Sequence, residues 1–97
     1  MSDRKIYYIS GAISKDPGFR EKFAKAEAKL RQENPRAIIL NPAVLPDGLS
    51  SEAYMDIDMA MVRACDVLAV LPDWCESPGA LAEVQYAEVL KKEIVGL

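Results

Sequence analysis

In residues 66–71 (DVLAVL) an unbroken apolar run follows Asp66, too short for an ordinary helix and without the alternation of a half-exposed strand. A strand of this kind is buried on both faces, which a parallel sheet covered by helices provides. Three further runs have strand character: residues 5–10 (KIYYIS), closed by Gly11; residues 37–40, closed by Asn41-Pro42; and residues 94–97. Helical segments separate them. Asp16 is placed to cap the first, with Pro17 at its first position, and Asn34-Pro35 to stop it. Phe19, Phe23, Ala26 and Leu30 share one face of that helix, and Lys22, Lys25 and Lys29 the other. After a turn-rich loop holding Pro46-Asp47-Gly48, Ser50 or Ser51 caps a second helix that runs to about Ala64. Residues 72–76 form a loop, and Ser77-Pro78 opens a last helix to about Lys92. The order β-α-β-α-β-α-β over residues 1–97 predicts one α/β domain with a doubly wound parallel sheet. In such sheets ligands bind beyond the carboxyl ends of the strands, where the strand order reverses. Ser10-Gly11-Ala12, Asn41-Pro42 and residues 72–79 are therefore expected to meet.

Composition narrows the chemistry. The chain has no histidine, which removes Ser-His and Cys-His nucleophile pairs, histidine acid–base chemistry and most zinc sites. Catalysis is left to carboxylates, tyrosines and hydroxyls. The net charge of -3, with basic residues interspersed among acids, argues against a nucleic-acid polymer as partner. Cys65 and Cys75 fit neither a metal-ligand spacing nor a C-x-x-C pair and read as free thiols of a reducing cytoplasm. The N-terminus lacks the apolar core of a signal peptide, and no apolar run approaches the ~20 residues of a membrane span. Neither G-x-G-x-x-G nor G-x-x-x-x-G-K-[ST] follows the first strand. No metal and no organic cofactor is expected.

Two acids stand where apolar residues belong. Tyr54, Ile57, Met61, Val62 and Cys65 define the apolar stripe of the second helix, and Asp58 lies inside it. Asp58 is either a functional acid or an edge residue neutralised by a partner such as Arg63. In the last helix Glu83 falls between Ala80 and Ala87, one turn after Gly79. Those small neighbours leave room for a ligand, although an ordinary surface glutamate would give the same pattern. Ser77 as N-cap, Pro78, and Gly79 at the helix start offer free amides to an anion. Gly11 serves either a tight turn or a ligand-facing gap.

Taken together, Tyr8-Ile9-Ser10-Gly11, Asn41-Pro42-Ala43, Ser50-x-Glu52-x-Tyr54-Met55-x-x-Asp58, Asp66, and Ser77-x-Gly79-x-x-x-Glu83-x-x-x-Ala87 resemble the nucleoside 2-deoxyribosyltransferase-like superfamily, closest to its short phage and bacterial members. The resemblance spans almost the whole chain. It implies a flavodoxin-like (Rossmann-like) sheet of four to five strands with helices on both faces, and cleavage of an N-glycosidic bond. Glu83 would be the nucleophile at C1′, Asp58 the proton donor to the departing base, and Tyr8 the group orienting Glu83. Ser10, Gly11, Ala12, Asn41, Trp74, Ser77 and Gly79 would line the substrate site, Trp74 either covering the base or simply packing.

In the same resemblance, serine at position 77 favours a nucleoside 5′-monophosphate over a free nucleoside. The chain departs from the monophosphate hydrolases at Ser14, where they carry a phosphate-holding arginine, leaving Lys15 or Arg20 to substitute. A C-terminal segment that completes a neighbour's site in longer relatives has no counterpart before Leu97. Three functions follow: an N-glycosidase or base-exchanging transferase, a nucleotide-binding module without turnover, and a structural or assembly domain. Small size and the family's shared sites imply a homodimer or larger homo-oligomer.

Overall fold

A computed structural model describes residues 4–14 and 16–97. Four parallel strands, β1 (Ile6–Ser10), β2 (Ile38–Leu40), β3 (Val67–Val70) and β4 (Glu93–Gly96), lie in the order β2-β1-β3-β4. Three helices connect them: α1 (Phe19–Glu33), α2 (Ser51–Ala64) and α3 (Pro78–Val89). The central pair is registered Tyr8 to Leu68 and Ser10 to Val70. The strand order reverses between β1 and β3, so the carboxyl ends of those two strands form the switch point.

The sheet separates two cores. Side chains alternate across a strand, so Tyr8 and Ile9 point to opposite sides. Tyr8, Leu68 and Val70 pack with Val62 and Cys65 and with Val84 and Ala87 of α3. Ile9, Ala69 and Leu71 pack with Phe23, Ala26 and Leu30 of α1. All four residues of β3 are buried, as a central strand covered on both faces requires. Phe23 is fully buried, and truncating it to alanine would cost about 3–5 kcal/mol.

Two helix boundaries differ from the sequence expectation. α1 begins at Phe19 rather than Pro17, because Asp16 accepts a bond from the Gly18 amide and closes a separate turn. Lys22 does not lie on a solvated face; it flanks the buried stripe and reaches into the loops at the strand ends. α3 stops at Val89 rather than Lys92. Lys91 turns left-handed (φ 59°), and the Lys91 and Lys92 amides return to the carbonyls of Glu88 and Ala87. Ser50, not Ser51, caps α2 by accepting the Ala53 amide at 3.0 Å. Cys65 is buried, Cys75 is exposed, and both are free thiols. Among the described residues no helix is long and apolar enough to cross a membrane.

Candidate active site

The site is built where β1 meets α3. Two-residue periodicity sets Tyr8 and Ser10 on the same side of β1, the side α3 covers. On α3, Ala80 and Ala87 are buried against the sheet, and their small side chains let the helix approach β1 closely. Glu83 lies between them and is only 6% exposed. Both of its carboxylate oxygens are held from β1. The Tyr8 hydroxyl donates to Oε2 at 2.9 Å, and the Ser10 hydroxyl donates to Oε1 at 2.7 Å.

Among the described residues no cation pairs with this carboxylate. Burial pushes Glu83 up to about 7; the two hydroxyls pull it back down, and the nearby Asp58 charge raises it further. Burial, and then the Glu83 charge, hold the Tyr8 phenol well above its ordinary value, so it remains a donor. Asp58, on α2, is pushed up to about 6 by burial alone. Its Oδ1 is buried without a hydrogen-bond partner, and no described ion pair joins it to Arg63. An unsatisfied buried oxygen costs about 1–3 kcal/mol, which makes Asp58 a group the fold retains at its own expense. The neutralised-edge reading of Asp58 therefore has no ion pair with Arg63 to support it among the described residues.

The other candidates divide. Trp74 packs half-buried against the Tyr8–Val84 cluster from a 3-10 turn over Trp74–Glu76. Ser77 caps α3 by accepting the Ala80 amide at 3.2 Å. A Cβ at Gly79 would make an ordinary contact with Ser77 Oγ, at 3.8 Å, so no crowding requires glycine there. Gly11 has a packing reason: a Cβ would stand 2.6 Å from Leu71 Cδ1, so a neighbouring side chain fills the gap. Ala12 spends its backbone on the protein, its amide donating to Asp73 and its carbonyl accepting from Lys22. Asn41 looks toward α1, where its amide donates to Glu27 at 3.0 Å and its oxygen accepts the Ala43 amide.

Lys15 lies outside the described residues. Ser14 is exposed, and Arg20 is engaged by the Ala43 carbonyl and by Asp47. Lys22 is the residue that sequence reasoning placed wrongly. It bridges Asp16 and Asp73 and ties the loop after β1 to the loop after β3. Its spacing, three after Phe19 and four before Ala26, already put it beside the buried stripe.

Two depressions lie on a different face from Glu83 and Asp58. Depressions of about 500 and 410 Å³ run along α1, one lined by Lys22, Lys25 and Leu71 and the other by Arg20, Arg31 and Val44. Neither includes Glu83 or Asp58. The charged groups along α1 are largely paired, as in Lys25 with Glu21 and Arg31 with Glu27, so shape alone marks no reaction there. Among the described residues no cluster of three or more metal-ligating side chains occurs.

A 2-desoxiribosyltransferase from Leishmania mexicana has a similar structure, with a TM-score of 0.72 at 21% sequence identity. The similarity covers 96% of this chain, which spans 63% of the length of that protein. The two share the flavodoxin-like α/β fold. No curated protein matches the chain. Residues 5–96, nearly the whole sequence, match the domain of unknown function DUF4406, and the chain belongs to that family.

Proposed function

We propose that the protein cleaves the N-glycosidic bond of a nucleoside or, as Ser77 favours, a (deoxy)nucleoside 5′-monophosphate. Glu83 is the nucleophile and Asp58 the general acid. The observation that carries this reading is the cation-free carboxylate of Glu83, held at both oxygens by Tyr8 and Ser10 and electrostatically coupled to Asp58. An oxocarbenium-like transition state needs one carboxylate beneath the anomeric carbon and a proton at the leaving group. The likeness in fold to a desoxiribosyltransferase agrees with it.

The reactive form has Glu83 ionised and Asp58 protonated, the minor of the pair's two singly protonated states, because Glu83 is held near 7 and Asp58 near 6. A Glu83 oxygen forms a bond to C1′ as the C1′–N bond breaks, and the base nitrogen takes its proton from Asp58. Water then attacks C1′, Asp58 receives the water's proton, and the ester electron pair returns to Glu83. In a transferase a second base replaces water. Trp74, on the turn leading into α3, would cover the base with the part of its ring that the core leaves exposed. Met55 and Ile57 on α2 and Leu81 on α3 remain partly exposed, which supports self-association; light scattering in solution measures it.

The deciding experiment incubates wild type and Glu83→Gln with ribo- and deoxyribonucleosides and their 5′-monophosphates, and follows free base by chromatography. Base release by wild type alone supports the reading and identifies the substrate class. Free sugar or sugar phosphate without an added base marks hydrolysis, whereas a new nucleoside on adding one marks transfer. No release under either condition refutes catalysis and leaves a nucleotide-binding module.

A further inference from the structure

We infer that Ser10 is a positioning residue for Glu83: with Tyr8 it fixes the carboxylate plane, and it favours departure of Glu83 from C1′ over its attack. This rests on Glu83 being the nucleophile. Ser10 is the last residue of β1, fully buried, with Ile9 beside it and Val70 opposite it across the strand pair. A hydroxyl there costs about 1–3 kcal/mol if unpaired, and its partner is Glu83. The backbone does not need it, because the Ser10 carbonyl accepts the Leu71 amide at 2.8 Å whatever the side chain. Ser10 is therefore better described as a contact to the nucleophile than as a contact to substrate.

Tyr8 and Ser10 stand about 6.6 Å apart along one strand face and donate to different oxygens of the same carboxylate. One hydroxyl would leave the carboxylate free to rotate about its terminal bond. Two stop it. The two bonds also act unequally on the two halves of the reaction. Attack on C1′ converts a charged carboxylate into a neutral ester, so donors that stabilise the charge oppose that step. Hydrolysis of the ester returns the charge to Glu83, and the same donors assist it. Tyr8 cannot isolate this effect, since its ring is part of the core. Ser10 can, because alanine removes one oxygen.

The test compares wild type, Ser10→Ala and Ser10→Thr, each checked for folding by thermal melt. A carbon-13 carboxyl titration of Glu83 should move to higher pH in Ser10→Ala and return toward wild type in Ser10→Thr. Rapid-quench measurement of base against sugar release should show hydrolysis of the glycosyl-enzyme slowed by roughly tenfold in Ser10→Ala, with a larger initial burst of base. If wild type releases base but neither the titration nor the burst responds to Ser10→Ala, the role of Ser10 is overturned and the glycosidase reading stands. If wild type releases no base while the titration still shifts, the glycosidase reading falls and the hold of Ser10 on the carboxylate stands.

Discussion

The two faces of the sheet treat carboxylates in opposite ways. On the α1 side, Asp16 is paired with Lys22, and Glu27 takes bonds from Asn41 and Arg31. Both are held below the ordinary carboxylate range, Asp16 chiefly by the Lys22 bond and Glu27 chiefly by the Asn41 bond. On the α2–α3 side, Glu83 is held by two neutral hydroxyls, and Asp58 Oδ1 is buried without a hydrogen-bond partner among the described residues. Both are raised, chiefly by burial. The first arrangement stabilises a charged fold. The second keeps protons available near neutrality at the expense of stability, which is how acid–base sites are generally made.

The sharpest way to break this contrast is to remove the proposed nucleophile. Glu83→Gln keeps the shape and should lower base release by more than about 10⁴-fold, since no other carboxylate is held at that position. Base release by Glu83→Gln at anything near the wild-type rate, measured in single-turnover assays, would end the assignment.

Asp58 is next in size. Asp58→Asn should cost about 10²–10⁴-fold, the usual worth of a general acid. The loss should shrink for a 7-methylated purine nucleoside, whose base departs without needing a proton. In wild type, kcat/KM should follow a bell. Below about 6 both carboxyls of the pair are protonated, and above about 7 the pair has lost the proton that Asp58 would donate. Asp58→Asn should lose the alkaline limb of that profile. An unchanged alkaline limb would assign the proton to another donor.

Stability should move against activity. Glu83 is pushed from 4.5 to about 7 in the fold, so between these values the folded state binds more protons than the unfolded one. Stability therefore falls as pH rises through that window, and the loss is complete above about 7. Its size is on the order of 3 kcal/mol. Glu83→Gln removes the titration, so its melting temperature should match wild type near pH 4 and exceed it by roughly 12–24 °C at pH 8. Thermal melts across pH measure this directly, and a constant difference would mean that burial does not perturb Glu83.

The sequence disclosed the strand and helix order because its signals are local: apolar runs for strands, three- and four-residue spacing for helices, Ser-Pro at the start of α3. The same spacing singled out Glu83 and Asp58, whose misfit with their stripes needs no knowledge of distant residues. What it could not disclose were partners far along the chain. Gly11 is explained by Leu71, Asn41 by Glu27, and Lys22 by Asp73, which lies 51 positions away. Ser10 is intermediate. Its shared face with Tyr8 was legible from strand periodicity, but that both reach Glu83 required the helix to be placed.

Lys22 offers the converse of the Glu83 experiment. Lys22→Met keeps the aliphatic stem but leaves Asp16 and Asp73 without their cation and the Ala12 carbonyl without its donor. The expected loss is about 1–2 kcal/mol near neutral pH, smaller than the Glu83 effect and opposite in direction. Its pH dependence should also be opposite in form. Asp16 is lowered from 3.8 and Lys22 raised from 10.5, so their contribution holds across the neutral range. It fades only as pH falls through the carboxylate values or rises through that of the lysine. The deficit of Lys22→Met should thus be flat from about pH 5 to pH 8, where the advantage of Glu83→Gln is growing, and should close in acid. Faster hydrogen exchange at the Ala12 amide would report the released loop. Curves of the same form for both variants would show that the two faces do not differ in the way their hydrogen bonds imply.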